Sequence, residues 1–255
     1  MSTNDRTLWT LTGKDALTFL QGLVSNDLRP LEAAPGIVWT ALLTPQGKYL
    51  ADFFVVHLPD GQRLIDIATP LAADTLRRLT LYRLRADVQI QPAPLGVVRG
   101  LGDPPPEALA DPRHPALGWR LYHADPGPEA PIDWNAIRVT HVIPESGVEL
   151  VPDDSYILEA GFERLHGVDF RKGCYVGQEV TARMKHKTEL RKGLVRVRVE
   201  GDAPPGTEIL AGGKPAGTLF TRSGDRAIAH LRFDRADQPL EAAGAKVWLD
   251  TAEPV

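Results

Sequence analysis

Two apolar runs, Val38 to Leu43 and Tyr49 to Leu58, flank the short segment Thr44-Pro45-Gln46-Gly47-Lys48. A proline followed at close range by a glycine makes the chain reverse, so this pair predicts a β-hairpin. Arg63 to Ala68 reads as a third short strand, entered through Pro59-Asp60-Gly61. Upstream, Thr12 or Lys14-Asp15 caps a short helix whose apolar face is Ala16, Leu17, Leu20 and Leu23. Downstream, Leu71, Leu76, Leu79 and Leu81 suit a helix from Pro70, followed by a strand from Ala86 to Ile90. Helices mixed with hairpins place the chain in the α+β class, with antiparallel sheets.

Beyond residue 100 the character shifts. Gly100 to Pro131 is rich in Pro, Gly and Asp, including Pro104-Pro105-Pro106, and reads as surface loop with a brief strand over Gly118 to His123. Ile132 to Val139 opens a helix. Ser155 to Leu165 and Gly177 to His186 are expected as two more, the second with Val180, Ala182 and Met184 inward. The tail is a series of short strands: Gly193–Val199, Thr207–Leu210, Ala216–Phe220, Ala227–Leu231 and Lys246–Leu249. Gly, Pro and Asp punctuate them, which predicts a small antiparallel C-terminal barrel. The expected division is a body over 1–186 and a barrel over 187–255.

Composition narrows the function classes. The 255 residues are 43% hydrophobic and 24% charged, enough for a substantial core. A net charge of −4 argues against a broad electrostatic footprint for nucleic acid. Arg183, Lys185, His186, Lys187, Arg191 and Lys192 form a basic strip that reads first as a solvated face, so any RNA contact, tRNA included, would be local. The single cysteine excludes an intramolecular disulfide and an all-cysteine metal site. One thiol also cannot hold an iron–sulfur cluster alone. No histidine spacing resembles HExxH, so no resident metal is expected. The polar start, Met1 to Arg6, has no apolar signal core behind it, and no apolar run is long enough to span a membrane. The default expectation is cytoplasm.

The chemistry concentrates in Lys172-Gly173-Cys174-Tyr175-Val176-Gly177-Gln178-Glu179. Arg171 and Lys172 precede the thiol, and neighbouring cations favour its nucleophilic thiolate form. Gly173 and Gly177 permit backbone angles closed to other residues. Gln178 both donates and accepts, and Glu179 accepts, so both are expected to orient the loop. Outside this stretch, Tyr82 and Arg85 suit either a ligand cavity or ordinary packing and solvent exposure. Trp119 and Trp134 are expected as core anchors.

KGCYVGQE resembles the K-G-C-(Y/F)-x-G-Q-E signature of the YgfZ family, folate-binding relatives of the glycine-cleavage T-protein (aminomethyltransferase). Asp15-Ala16 with Phe19 to Asp27, then Leu43 to Lys48 with Asp52, and Leu158-Glu159-Ala160 with Gly167 to Phe170 resemble further family segments. The similarity covers almost the whole chain. It implies a T-protein-like body of antiparallel sheets with helices, and a C-terminal barrel. It also implies tetrahydrofolate or another reduced folate between them, with Cys174 at the mouth of the cavity and Tyr175 beside it. The functional motif would comprise Lys172 to Glu179 together with Arg183. Implied partners are iron–sulfur client or assembly proteins, with an indirect effect on tRNA modification. Ile137 to Val142 resembles the T-protein stretch whose Glu grips the pterin, and Thr140 stands at the Glu position. Asp74 falls near the place of that enzyme's catalytic Asp. A folate-dependent aminomethyltransferase and an RNA- or protein-binding scaffold are the alternative readings.

Overall fold

The computed structural model describes residues 5–187 and 189–251; Met1 to Asn4 and the side chain of Lys187 lie outside the description. Five antiparallel strands form the main sheet. They are β1 (Arg6–Thr12), β2 (Gly36–Leu43), β3 (Tyr49–His57), β4 (Arg63–Ala68) and β5 (Gln89–Pro92), in the order β2-β3-β4-β1-β5. The expected hairpin is β2–β3, in register from Gly36 opposite His57 to Leu42 opposite Ala51.

This sheet has a core on each face. Side chains alternate across a strand. On β3, Ala51, Phe53 and Val55 therefore join one cluster and Phe54 and Val56 the other, while Tyr49, beyond the register shift at the start of the strand, also joins the second. Helices α1 (Ala16–Gln21) and α3 (Thr69–Arg83) cover the first face through Leu17, Leu20, Ala72 and Leu79. A short α2 (Pro30–Ala33) adds Leu31. The second face is closed by a three-stranded sheet, β6-β8-β7, made of β6 (Gly96–Gly100), β7 (Leu109–Ala110) and β8 (Trp119–His123). Helix α4 (Trp134–His141) and the turns of residues 150–175 complete that side.

Helix α5 (Gln178–Lys187) leads to the C-terminal strands. These are β9 (Lys192–Glu200), β10 (Glu208–Ala211), β11 (Lys214–Ser223), β12 (Arg226–Arg232), β13 (Leu240–Ala242) and β14 (Ala245–Leu249). They close a barrel in the order β10-β11-β12-β9-β14-β13, sealed where Leu210 pairs with Glu241. The barrel docks on α4 and the body. Glu149 accepts from the Thr221 hydroxyl at 2.5 Å, and Arg196 Nη1 donates to the Thr140 carbonyl at 2.6 Å. Among the described residues no helix is long and apolar enough to cross a membrane.

Several expectations need correction. Ser155 to Leu165 is a run of turns, not a helix, because Gly161 takes φ +78° and Lys48 bridges Tyr156. The strand expected over Ala86 to Ile90 begins only at Gln89. Leu81 falls on α3 as expected but is exposed. Gly100 to Pro131 is less of a loop than its composition implies, since β7 and β8 pair there and β6 ends at Gly100. Trp134 is a core anchor, whereas Trp119 is only half-buried.

Candidate functional site

Three sequence segments distant along the chain converge on Cys174. The first is the end of α1 and the loop after it. Lys172 is buried, and its ammonium donates to the carbonyls of Gln21 (2.5 Å) and Val24 (2.6 Å). It also lies 4.9 Å from the centroid of the Tyr175 ring. Ser25 donates to the Gly167 carbonyl, and Asn26 donates to those of Trp39 and His166. The loop after α1 is thus a cradle for residues 166–172.

The second segment is the β2–β3 turn. Gly47 and Gly177 both have positive φ, +76° and +83°. Here glycine is required by contact as well as by angle. A Cβ on Gly177 would sit 2.5 Å from the Thr44 carbonyl oxygen, and one on Gly47 would meet Val180 at 2.9 Å. Two main chains therefore touch where the hairpin meets the start of α5. Lys48 extends the clamp by donating to the Asp154 carbonyl and lying over the Tyr156 ring.

The third segment is the octapeptide, whose residues divide into pegs and a presented group. Lys172, Tyr175 and Gly177 are buried, while Gly173 and Cys174 are exposed. Burial lowers the Lys172 pKa to about 8, against the opposing pull of Asp27 and Asp169. That ammonium is committed to main-chain carbonyls, so Lys172 anchors the loop instead of flanking the thiol as expected from sequence. Arg171, exposed, is the cation left beside the cysteine. Gln178 and Glu179 open α5, and among the described residues neither side chain holds the loop by a hydrogen bond; the pegs do. Arg183 is exposed on the same helix. Tyr175 packs inward, with burial the main cause raising its pKa, and it lines none of the cavities described below.

The other candidates lie elsewhere. Asp74 sits exposed on α3, paired with Arg77 (2.5 Å) and Arg78 (2.6 Å), whose hydrogen bonds lower its pKa. It lines none of the cavities described below, and both of its oxygens are spent on arginines, so it is not placed as a catalytic carboxylate. Tyr82 and Arg85 are exposed at the end of α3 and line no cavity described below. Thr140 donates its hydroxyl back to the Ala136 carbonyl within α4.

Sequence reasoning missed a charged hub in the body. Asp66, fully buried on β4, accepts from Arg6 Nε (2.6 Å), Arg120 Nη2 (2.5 Å) and the Tyr122 hydroxyl (2.9 Å). Burial raises its pKa, but Arg6 and Arg120 outweigh that and hold it at about 2. Asp111 pairs with Arg113 and Arg120, and Arg99 pairs with Glu129. Asp52 accepts from Trp39, Tyr49 and Ser146. The available signal was a pair of aspartates inside otherwise apolar strands, since unpaired carboxylates are rarely buried.

These residues test the expected folate directly. The cavity at the hub has about 30 Å³, room for about two waters, far less than a pteridine needs. The carboxylates around it already accept from arginines, a tyrosine, a tryptophan or a serine. A larger groove of about 730 Å³ lies between body and barrel, and Thr140 lines it. Its carboxylate, Asp250, is held by Arg196 and Arg226. A pterin needs a two-oxygen acceptor free to take its paired donors. Neither space offers one, so the residues do not fit a pterin grip. A third groove of about 590 Å³ runs beside the cysteine loop, lined by Arg171, Asp169, Phe170 and Trp39. Cys174 lines none of the three, which corrects its expected place at a cavity mouth.

Comparison with known proteins fits this geometry. Residues 191–253 match the CAF17 C-terminal β-barrel domain. The chain is 30% identical to the mitochondrial iron–sulfur cluster assembly factor IBA57 of Homo sapiens, over 98% of this chain and 82% of that protein. Against the Mus musculus protein of the same name it is also 30% identical, over 92% and 78%. The fold is that of the glycine cleavage system aminomethyltransferase T from Bartonella henselae. The TM-score is 0.75 at 11% identity, covering all of this chain and 85% of that one. The expectation of cytoplasm is overturned by the relatives, which are named as mitochondrial. An absent apolar signal core could not have decided this, because mitochondrial transit peptides are basic and amphipathic rather than apolar. By the extent and identity of these matches, the chain belongs to the family of the IBA57 iron–sulfur cluster assembly factors.

Proposed function

We propose that the protein is an accessory factor for iron–sulfur cluster assembly or repair in client enzymes, working through the Cys174 loop. One observation carries the reading: the only thiol of the chain is exposed on a loop whose other key residues are spent on holding it still. A buried ammonium and two touching main chains are a costly support for a loop without a task. The relatives' role supports the same conclusion. One thiol cannot enclose a cluster, so any contact of Cys174 with that cargo is shared with ligands from a partner. Effects on tRNA modification would follow indirectly, through clients that carry clusters.

The folate half of the YgfZ-like expectation rests on fold likeness alone, and the charged hub and the body–barrel groove do not supply the grip. No step is assigned to folate. The aminomethyltransferase reading loses its carboxylate with Asp74 paired at the surface. The RNA-scaffold reading is weakened because Lys185 and Lys192 are paired with Glu163 and Glu159. A division into a body over 1–186 and a barrel over 187–255 is part of this proposal.

The test is complementation. Cys174→Ala should fold normally yet fail to restore iron–sulfur enzyme activity in cells lacking their own factor. Full restoration by that variant would remove the thiol from the account.

A further inference from the structure

The groove at the seam of body and barrel has a ligand's dimensions and an unbalanced charge. Its volume of about 730 Å³ falls in the range of small-molecule sites. Val142, Leu194 and Leu249 give it apolar walls. His114 and His141 meet in it with ring centroids 4.2 Å apart and planes at 33°.

Positive charge dominates this groove. Arg164 donates to the carbonyls of His141 (3.0 Å) and Val142 (2.8 Å), closing the end of α4. Among the described residues no carboxylate forms an ion pair with it. Asp250 is shared by Arg196 (2.9 Å), Arg226 (2.9 Å) and Arg198 (3.7 Å), so its single charge is already outnumbered. The imidazoles respond to this field. Burial lowers the pKa of His114, and Arg164 and His166 lower it further, with only Asp111 opposing. Burial also lowers that of His141, with His114, Arg164 and Arg196 adding to the effect. Like charges crowded in a partly apolar groove are relieved by an anion, which lets the imidazoles take up protons.

We propose that this groove binds a flat aromatic or heteroaromatic anion, its ring against the histidine pair and apolar wall, its phosphate or carboxylate on Arg164. The site is separate from the Cys174 loop, and its test reads binding rather than support of iron–sulfur enzymes. Because the groups facing the ligand are His114, His141, His166, Arg164, Arg196 and Asp250, with Asp111 behind His114, affinity rises as pH falls.

The experiment is calorimetric titration of the full chain with adenosine monophosphate, naphthoate, adenosine and inorganic phosphate, at about pH 6 and about pH 8, which straddle an imidazole's ordinary range. The two aromatic anions tell a phosphate from a carboxylate preference. At least one should bind about tenfold or more tightly than adenosine and phosphate, the scale of one charge-assisted contact. The same ligand should bind more tightly at the lower pH. Arg164→Gln should weaken it about tenfold or more. His114→Phe with His141→Phe should keep binding but flatten the pH dependence. If loss of the α4 closure unfolds Arg164→Gln, Leu249→Glu serves instead: a carboxylate built into the groove should block the ligand. No saturable binding of either anion would overturn the proposal. So would affinity for neither aromatic anion exceeding that for adenosine, or undiminished binding by a folded Arg164→Gln or Leu249→Glu.

Discussion

The cysteine loop and the charged hub use the same kinds of residues to opposite ends. In the hub, Arg6, Arg120, Asp66 and Asp111 neutralise one another inside the body, and little space remains between them. In the loop, Lys172 is buried so that its neighbour Cys174 can be exposed. A fold shared with an aminomethyltransferase thus has a middle occupied by its own ion pairs, with the single thiol of this chain at the surface. Burying charge is therefore no sign of a binding site in itself. What distinguishes a site is charge or reactivity left unspent.

The largest effect should come from breaking the hub. Asp66→Asn removes the carboxylate shared by two guanidiniums, leaving Arg6 without its buried partner and Arg120 with Asp111 alone. Loss of one member of a buried pair costs about 3–5 kcal/mol. Chemical denaturation should show that loss, while alkylation of Cys174 in the folded protein proceeds at its normal rate. A loss below about 1 kcal/mol would mean that the hub is solvated and the contrast with the loop is false.

Next comes the contact that sets the loop. Gly177→Ala forces a Cβ towards the Thr44 carbonyl at an angle that L-residues resist, and should cost about 1–3 kcal/mol. The damage should be local, appearing as faster amide exchange over the β2–β3 turn and the octapeptide. Uniform loss of protection across the main sheet would show that loop and hub are not separable units.

The pH dependence tests the hub again, on a smaller scale. Arg6 and Arg120 hold the folded pKa of Asp66 at about 2, below an aspartate's ordinary 3.8. A carboxylate with a depressed folded pKa contributes stability that is present above the unfolded value and lost as pH falls through the folded one. The window is therefore about pH 4 down to about pH 2, and the contribution is about 2 kcal/mol. In Asp66→Asn the acid limb of the stability curve should flatten by that amount.

How much of this was legible follows from distance along the chain. The hairpin, the first helix and five of the six barrel strands announce themselves, because alternation and turn residues are local signals. Short β13, Leu240–Ala242, offers too few residues for a pattern. The octapeptide was conspicuous, but the roles within it were not. That Lys172 faces Gln21 and Val24, about 150 residues away, cannot be inferred from its place two residues before Cys174. The hub was invisible for the same reason: Asp66 meets partners 60 residues before it and 54 after it. The groove histidines looked unremarkable one by one, since only the fold brings His114 against His141.

The smallest expected effect on stability belongs to the residue with the largest proposed role. Cys174 is exposed, and its glycine neighbour has open space where a side chain would sit. Removing the thiol should therefore change stability by no more than about 0.5 kcal/mol, as for other surface substitutions. Mass spectrometry should find native Cys174 alkylated completely under conditions that leave the protein folded. Lys172→Met separates anchor from thiol: it strips the donor from the buried Val24 carbonyl and the part-buried Gln21 carbonyl, and should cost about 1–3 kcal/mol. If the lysine acts only as a peg, a folded Lys172→Met should lose client support in proportion to loop order. Restoring loop order at lower temperature should then restore client support. A variant with an ordered loop, an accessible thiol and no client support would instead give Lys172 a direct part in the chemistry, and the division between pegs and presented group would have to be redrawn.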